Sequence, residues 1–108
     1  MVIYDYVTAG GKNVIIEYIE TLSSKEKLAI YDIRAEIESH GLDAFEKLTT
    51  RQLRKKLWEI KISRTRVMYI IKNADEVVFL NICKKQKGKA ERHEINKAIE
   101  RAHNEGLM

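Results

Sequence analysis

Three apolar, β-prone runs stand almost end to end in the second half of this chain: LWEIKI at 57–62, RVMYIIK at 66–72 and VVFLNIC at 77–83. The joints between them are only SRT around 63–65 and NADE at 73–76. Joints that short predict hairpins, so the three runs read as an antiparallel meander. Asn73 and Asp75 suit the second turn, because their side chains can hydrogen-bond nearby backbone. In the first run Trp58, Ile60 and Ile62 share one face, and Leu57, Glu59 and Lys61 share the other. One face is therefore expected to be buried and one partly wet.

The remaining elements arrange themselves around this meander. VIYDYV at 2–7 alternates and reads as a short strand, broken by Gly10 and Gly11. Residues 13–22 place Val14, Tyr18 and Leu22, with Ile15 and Ile19, on one helical face. Ser23 and Glu26 fit a capping box that opens a second helix. Gly41 is expected to end that helix in a left-handed conformation. The joint is short, so the two helices predict an antiparallel hairpin. Residues 42–56 give no clear periodicity; Phe45 and Leu48 are expected to plug the core from a loop or short turn. A last helix, over 91–105, carries Ile95, Ala98, Ile99 and Ala102 and stops at Gly106. The predicted fold is α+β: a small antiparallel sheet made of the N-terminal strand and the meander, with the helical hairpin and C-terminal helix on one face.

At 108 residues the chain predicts one domain, residues 1–108, and a core that needs no disulfide or metal. Its one cysteine, Cys83, lies inside an apolar run and is expected to be a buried thiol. His40, His93 and His103 are dispersed and match no zinc spacing, so neither metal nor cofactor is expected. His40 beside Gly41 suits a helix C-terminus. No apolar stretch approaches membrane-spanning length, and MVIYDYV does not read as a signal peptide, which makes a cytoplasmic protein the expectation.

Charge is unevenly placed. Residues 51–66 hold seven basic side chains (Arg51, Arg54, Lys55, Lys56, Lys61, Arg64, Arg66) and one acid, Glu59. Residues 84–89 hold Lys84, Lys85, Lys87 and Lys89 and no acid. The net charge is +4, of which these windows carry +10, leaving −6 for the rest. Hairpin connectivity alone predicts that Lys61, Arg64, Arg66, Lys84 and Lys85 meet at one end of the sheet. Gathering like charges costs stability unless a ligand compensates, and a phosphodiester chain is the natural ligand. Arginine offers phosphate a forked pair of hydrogen bonds, and lysine a compact point charge. Tyr69 and Trp58 lie on neighbouring strands, where they either stack bases or pack the core.

The segments LRKKLWEIKI at 53–62, RVMYIIK at 66–72 and NICKKQKGKAERHEINKAIERA at 81–102 resemble the RelE/ParE superfamily of bacterial toxins. They look most like its HigB-like, phage-derived RelE-like branch. The resemblance runs in element order over about residues 2–105, and LWEIK with RVMY and CKKQKGK together is its specific part. It implies a RelE-like fold and the toxin of a type II toxin–antitoxin pair. The activity implied is metal-independent, ribosome-dependent cleavage of mRNA by attack of the ribose 2′-OH on the adjacent phosphate. It also implies an acidic helix-turn-helix antitoxin as partner, and contact with DNA only through the antitoxin complex.

Carried over position by position, Arg66 matches the arginine that supports transition-state charge, Lys61 the basic end of the preceding strand, and Lys85, with Lys84, the basic residue after the last strand. Arg64, Lys84, Lys87, Lys89 and Tyr69 are the expected RNA contacts. Some relatives place a tyrosine or histidine near the start of the last helix. Here that stretch is KAERHE, so His93 is its candidate base, and the branch's usual proline is absent. Surrounding positive charge would favour a neutral, proton-accepting His93, and a crowded lysine is the other candidate. Two rival functions keep the same fold: a ParE-like gyrase inhibitor without nuclease activity, and a non-catalytic RNA-binding module. Basic side chains pointing apart, or paired with the chain's own acids, would favour the rivals.

Overall fold

A computed structural model describes residues 1–108. In chain order the elements are β1 (Val2–Asp5), α1 (Val14–Glu20), α2 (Ser24–His40), α3 (Leu42–Glu46), β2 (Thr50–Arg54), β3 (Leu57–Ile62), β4 (Thr65–Asn73), β5 (Glu76–Lys84) and α4 (Gly88–Asn104). The sheet has five strands in the order β1-β5-β4-β3-β2. The meander β3-β4-β5 is antiparallel throughout, as its short joints require.

Two features of the sheet differ from the sequence expectation. The ill-defined stretch 42–56 supplies both a short helix, α3, and an extra edge strand, β2, antiparallel to β3. Its sequence, TRQLR, lacks an apolar alternation because an edge strand with exposed charge has little to bury and gains by resisting further pairing. The N-terminal strand pairs with β5 in parallel, so the sheet is mixed and not wholly antiparallel. Its partner lies some seventy residues away in sequence (Val2 opposite Glu76), and no local pattern encodes the direction of such a pairing.

The helices also divide. α1, α2 and α3 cover one face, on which Ile15, Ile19, Ile30 and Ile37 pack against Ile60, Val67, Tyr69 and Phe79. α4 covers the other, where Ala98 and Ala102 let the helix approach Leu57, Met68, Ile70 and Leu80. The expectation of helices on a single face is thus corrected. β5 is buried continuously from Val77 to Cys83, and a strand buried on both sides needs cover on both sides. Each fully buried Ile or Leu contributes roughly 1.5–3 kcal/mol relative to an exposed one.

Local capping explains where the helices begin. Asn13 Oδ1 accepts from the amides of Ile15 and Ile16 at 3.1 and 2.9 Å, and its Nδ2 donates to Asp5 Oδ2 at 3.2 Å. Ser23 Oγ accepts from the Glu26 amide at 3.2 Å. Gly41 ends α2 with φ 59° and ψ −136°, outside the expected left-handed helical well but in a region open essentially to glycine alone. Arg34 on α2 holds Asp5 on β1 through two parallel bonds of 2.8 and 2.9 Å and lies 5.4 Å over the Phe79 ring.

Candidate functional site

The register of the meander assembles the basic side chains. Lys61 on β3 stands opposite Arg66 on β4, Arg66 stands opposite Cys83, and Thr65 stands opposite Lys84 on β5. Beyond the last pair, the Lys85 amide donates to the Arg64 carbonyl at 2.7 Å. Lys61, Arg64, Arg66, Lys84 and Lys85 therefore occupy one end of the sheet, as hairpin connectivity predicts. Strand alternation places Lys61 and Arg66 toward the α4 face and Lys84 with Thr65 toward the other, so the cations ring the sheet end. Arg64 sits on a two-residue turn whose first residue, Ser63, has φ 55°, a left-handed conformation costing a non-glycine residue about 1–2 kcal/mol.

A concavity of about 420 Å³ opens here, lined by Arg64, Lys84, Lys85, Gln86 and Lys87. A narrower recess of about 110 Å³ adjoins it, sharing Arg64 and Lys84 and reaching Glu26 at the start of α2. Lys61, Arg64, Lys84, Lys85, Lys87 and Lys89 are all exposed, and none takes part in an ion pair. The site is an open, uncompensated cationic surface that fits a flexible polyanion.

Arg66 differs from the rest. Its side chain is only 12% exposed, its Nη1 donates to the carbonyls of Ser63 at 2.8 Å and Thr65 at 3.1 Å, and its Nε lies 3.5 Å from Glu59 Oε1. Glu59 itself is 1% exposed and is shared with Arg51, whose Nη2 reaches Glu59 Oε2 at 3.2 Å and Glu91 Oε2 on α4 at 3.3 Å. Burial works against the Arg51 cation, but the two carboxylates outweigh it and raise its pKa. Beside this group, Asn81 Nδ2 donates to the Glu94 carbonyl and carboxylate at 3.1 and 3.0 Å. Burial opposes the Glu94 charge, yet the bonds from Asn81 and Lys97 hold its pKa below the ordinary value. Burial pushes the Cys83 thiol up to about 12, which leaves it unsuited to act as a nucleophile.

Lys61, Arg66 and Lys89 are not among the residues lining the concavity, and neither are Tyr69, Trp58 and His93. Tyr69 is 3% exposed on the α1–α3 face, packed on Phe45 at 5.0 Å between ring centroids, and burial pushes its hydroxyl up to about 12. It fills the core, the alternative that its position on the strand left open. Trp58, on the same face but near the sheet edge, remains partly exposed and walls a separate cavity of about 440 Å³ with Phe45 and Tyr69. His93 projects from α4 into solvent, makes no hydrogen bond and does not line the concavity. Lys87 occupies the N-cap position of α4 without a side-chain capping bond, and Lys89 follows in the first turn. The residues missed by sequence reasoning are Arg51, Glu59 and Asn81. The one available signal was Glu59 standing alone among seven basic residues, inside a strand.

A mixed five-stranded sheet, a helical hairpin on one face, one long helix on the other and a basic sheet end define the RelE-like α+β class. The sequence profile of the phage-derived Gp49-like proteins (DUF891) matches residues 17–103, and the chain belongs to that family. Its fold is similar to that of a chain in the crystal structure of the archaeal RelE–RelB complex from Pyrococcus horikoshii OT3. The TM-score is 0.57 at 13% sequence identity, over 80% of this chain and 93% of that one. No curated protein matches the chain. No helix is long and apolar enough to cross a membrane.

Proposed function

We propose that this protein is the toxin of a type II toxin–antitoxin pair and acts as a metal-independent endoribonuclease on ribosome-bound mRNA. The observation that carries the reading is the convergence of unpaired Arg64, Lys84, Lys85 and Lys87 on one concavity, with Lys61 and Arg66 adjacent in register. Membership of the Gp49-like family and the RelE fold support it.

In the reaction, the 2′-oxygen of a ribose attacks its own 3′-phosphorus while the bond from phosphorus to the 5′-oxygen of the next nucleotide breaks. The 2′-OH gives up its proton to a base, and the departing 5′-oxygen gains one. The products are a 2′,3′-cyclic phosphate and a 5′-hydroxyl. The phosphorane carries extra negative charge, so fixed cations lower the barrier most where they are oriented before substrate arrives. Arg66 is so oriented by two backbone carbonyls and Glu59. Lys61 faces it across the strand pair. Lys85 lines the concavity and adds its charge there, whereas His93, the candidate base, does not line it. Arg64, Lys84, Lys87 and Lys89 serve as RNA phosphate contacts. The partners that fit this reading are mRNA on the ribosome and an acidic helix-turn-helix antitoxin. That antitoxin would neutralise the cations and bring the toxin to DNA.

The contact of Arg66 with the protein's own Glu59 is the feature that favours a non-catalytic, gyrase-inhibiting reading. Cell-free translation with primer extension on the mRNA separates the two. The nuclease yields discrete cuts within the reading frame that disappear in Arg66→Ala. Translation arrest without cuts rejects it, and inhibition of supercoiling by purified gyrase would then identify the alternative.

A further inference from the structure

Glu59 touches no reacting atom in the chemistry above, yet it is the most deeply buried charged side chain beside the basic site. A carboxylate without solvent costs several kcal/mol of desolvation, and apolar replacements of buried ion pairs are often neutral or stabilising. Fold stability alone therefore does not account for an acid at this point. It lines no cavity, so it has no route by which to take a proton from a bound ribose.

Its contacts point elsewhere. One oxygen, Oε1, accepts no hydrogen bond and faces Arg66 Nε at 3.5 Å. The other, Oε2, takes Arg51 Nη2, and the same nitrogen reaches Glu91 in the first turn of α4. The lysine-rich segment Lys84–Lys87 runs from the end of β5 to the start of α4. Glu59 thus touches Arg66 directly, two residues from Arg64, which lines the concavity. Through Arg51 and Glu91 it also reaches the first turn of α4, where the lysine segment ends.

We propose that Glu59 is a positioning residue for the cleavage reaction. Its buried carboxylate sets the orientation of the Arg66 guanidinium and ties the β3–β4 hairpin to the start of α4, where the lysine segment ends. The inference rests on the nuclease reading for its catalytic consequence, while the orientation of Arg66 is measurable without it. Because the lysines that attract RNA are exposed and independent of Glu59, loss of its charge should affect turnover and spare binding.

The test compares the full-length protein with Glu59→Gln. Exchange of the Arg66 Nε–H proton with water is followed by nitrogen NMR, with the signal assigned through Arg66→Lys. Cleavage is measured in the translation extract, and binding with an RNA carrying a 2′-deoxy sugar at the cut site. Glu59→Gln is expected to speed exchange, to lower the cleavage rate by on the order of 10²-fold, as small misplacements of catalytic groups do, and to leave RNA affinity unchanged. Glu91→Gln, which cuts only the α4 arm, should produce a smaller loss. Glu59→Asp, which keeps the charge but withdraws it by one methylene, carries the test if Glu59→Gln does not fold. Unchanged Arg66 exchange, or full cleavage by a folded variant, overturns the proposal. Failure of the wild-type protein to cleave overturns the nuclease reading instead, and the exchange measurement then still decides whether Glu59 orients Arg66.

Discussion

Arg66 is held at three points, by the carbonyls of Ser63 and Thr65 and by the Glu59 carboxylate. A lysine keeps the charge there but lacks the planar fork that meets these acceptors and a phosphate together. Arg66→Lys is therefore expected to lose about 10²–10³-fold in cleavage, the range for removing an oriented donor to transition-state charge. Single-turnover assays at saturating RNA would show it. The neighbouring Cys83 makes a contrasting case. Its folded-state pKa of about 12 lies far above the ordinary thiol value, so the thiolate is suppressed in the native protein and released on unfolding. Labelling by a thiol reagent at pH 8 should be slow in buffer and fast in denaturant. Rapid native labelling would contradict the burial.

At the scale of elements, α4 is fastened by polar bonds as well as by its two alanines. The pairing of β4 with β5 skips Leu80, whose carbonyl instead accepts from Arg101 Nη1 at 2.9 Å. Asn81, beside it, donates to Glu94 twice. Replacing Asn81 with alanine leaves buried partners unpaired, at a cost of about 1–3 kcal/mol. Denaturant titration should show it as a lower midpoint with unchanged slope. Glu94 gives this helix a pH dependence of known sign. Its folded pKa lies below the ordinary value, so its stabilising charge is present above the unfolded-state pKa and is lost as pH falls through the folded one. Glu94→Gln should flatten the acidic limb of a plot of Tm against pH. On the opposite face, the Arg34–Asp5 pair ties β1 to α2 with both side chains largely buried. Arg34→Ala should cost about 3–5 kcal/mol by stranding the Asp5 charge, and thermal unfolding measures it.

At the scale of the whole molecule, charge asymmetry is the property that reaches a partner. Six exposed cations without ion-pair partners lie at or beside one sheet end, on a chain whose remainder is net acidic. Each phosphate neutralised on a single strand contributes about −0.7 to the slope of log K against log salt. Changing Lys84, Lys85 and Lys87 together to glutamine should flatten that slope by roughly 2 while leaving the melting temperature nearly unchanged. An unchanged slope would place the RNA elsewhere on the surface.

Much of this arrangement is legible in the amino-acid sequence. Joints of three and four residues leave three apolar runs only one way to pair, and hairpin register then brings Lys61 opposite Arg66 and returns Lys84 and Lys85 to the same end. These are consequences of local connectivity, which the order of residues carries by itself. The direction of β1 beside β5, the extra strand from Thr50 to Arg54, the placing of α4 on its own face and the burial of Glu59 between Arg51 and Arg66 were settled by tertiary structure. Each depends on partners distant in the chain, and on which of several competing surfaces is finally withdrawn from water. A residue's own neighbours in sequence exert no force that distinguishes those outcomes. Tyr69 and Glu59 show the difference most directly: an aromatic and an acid on adjacent strands, one in each core, whose roles follow from the helix that covers them.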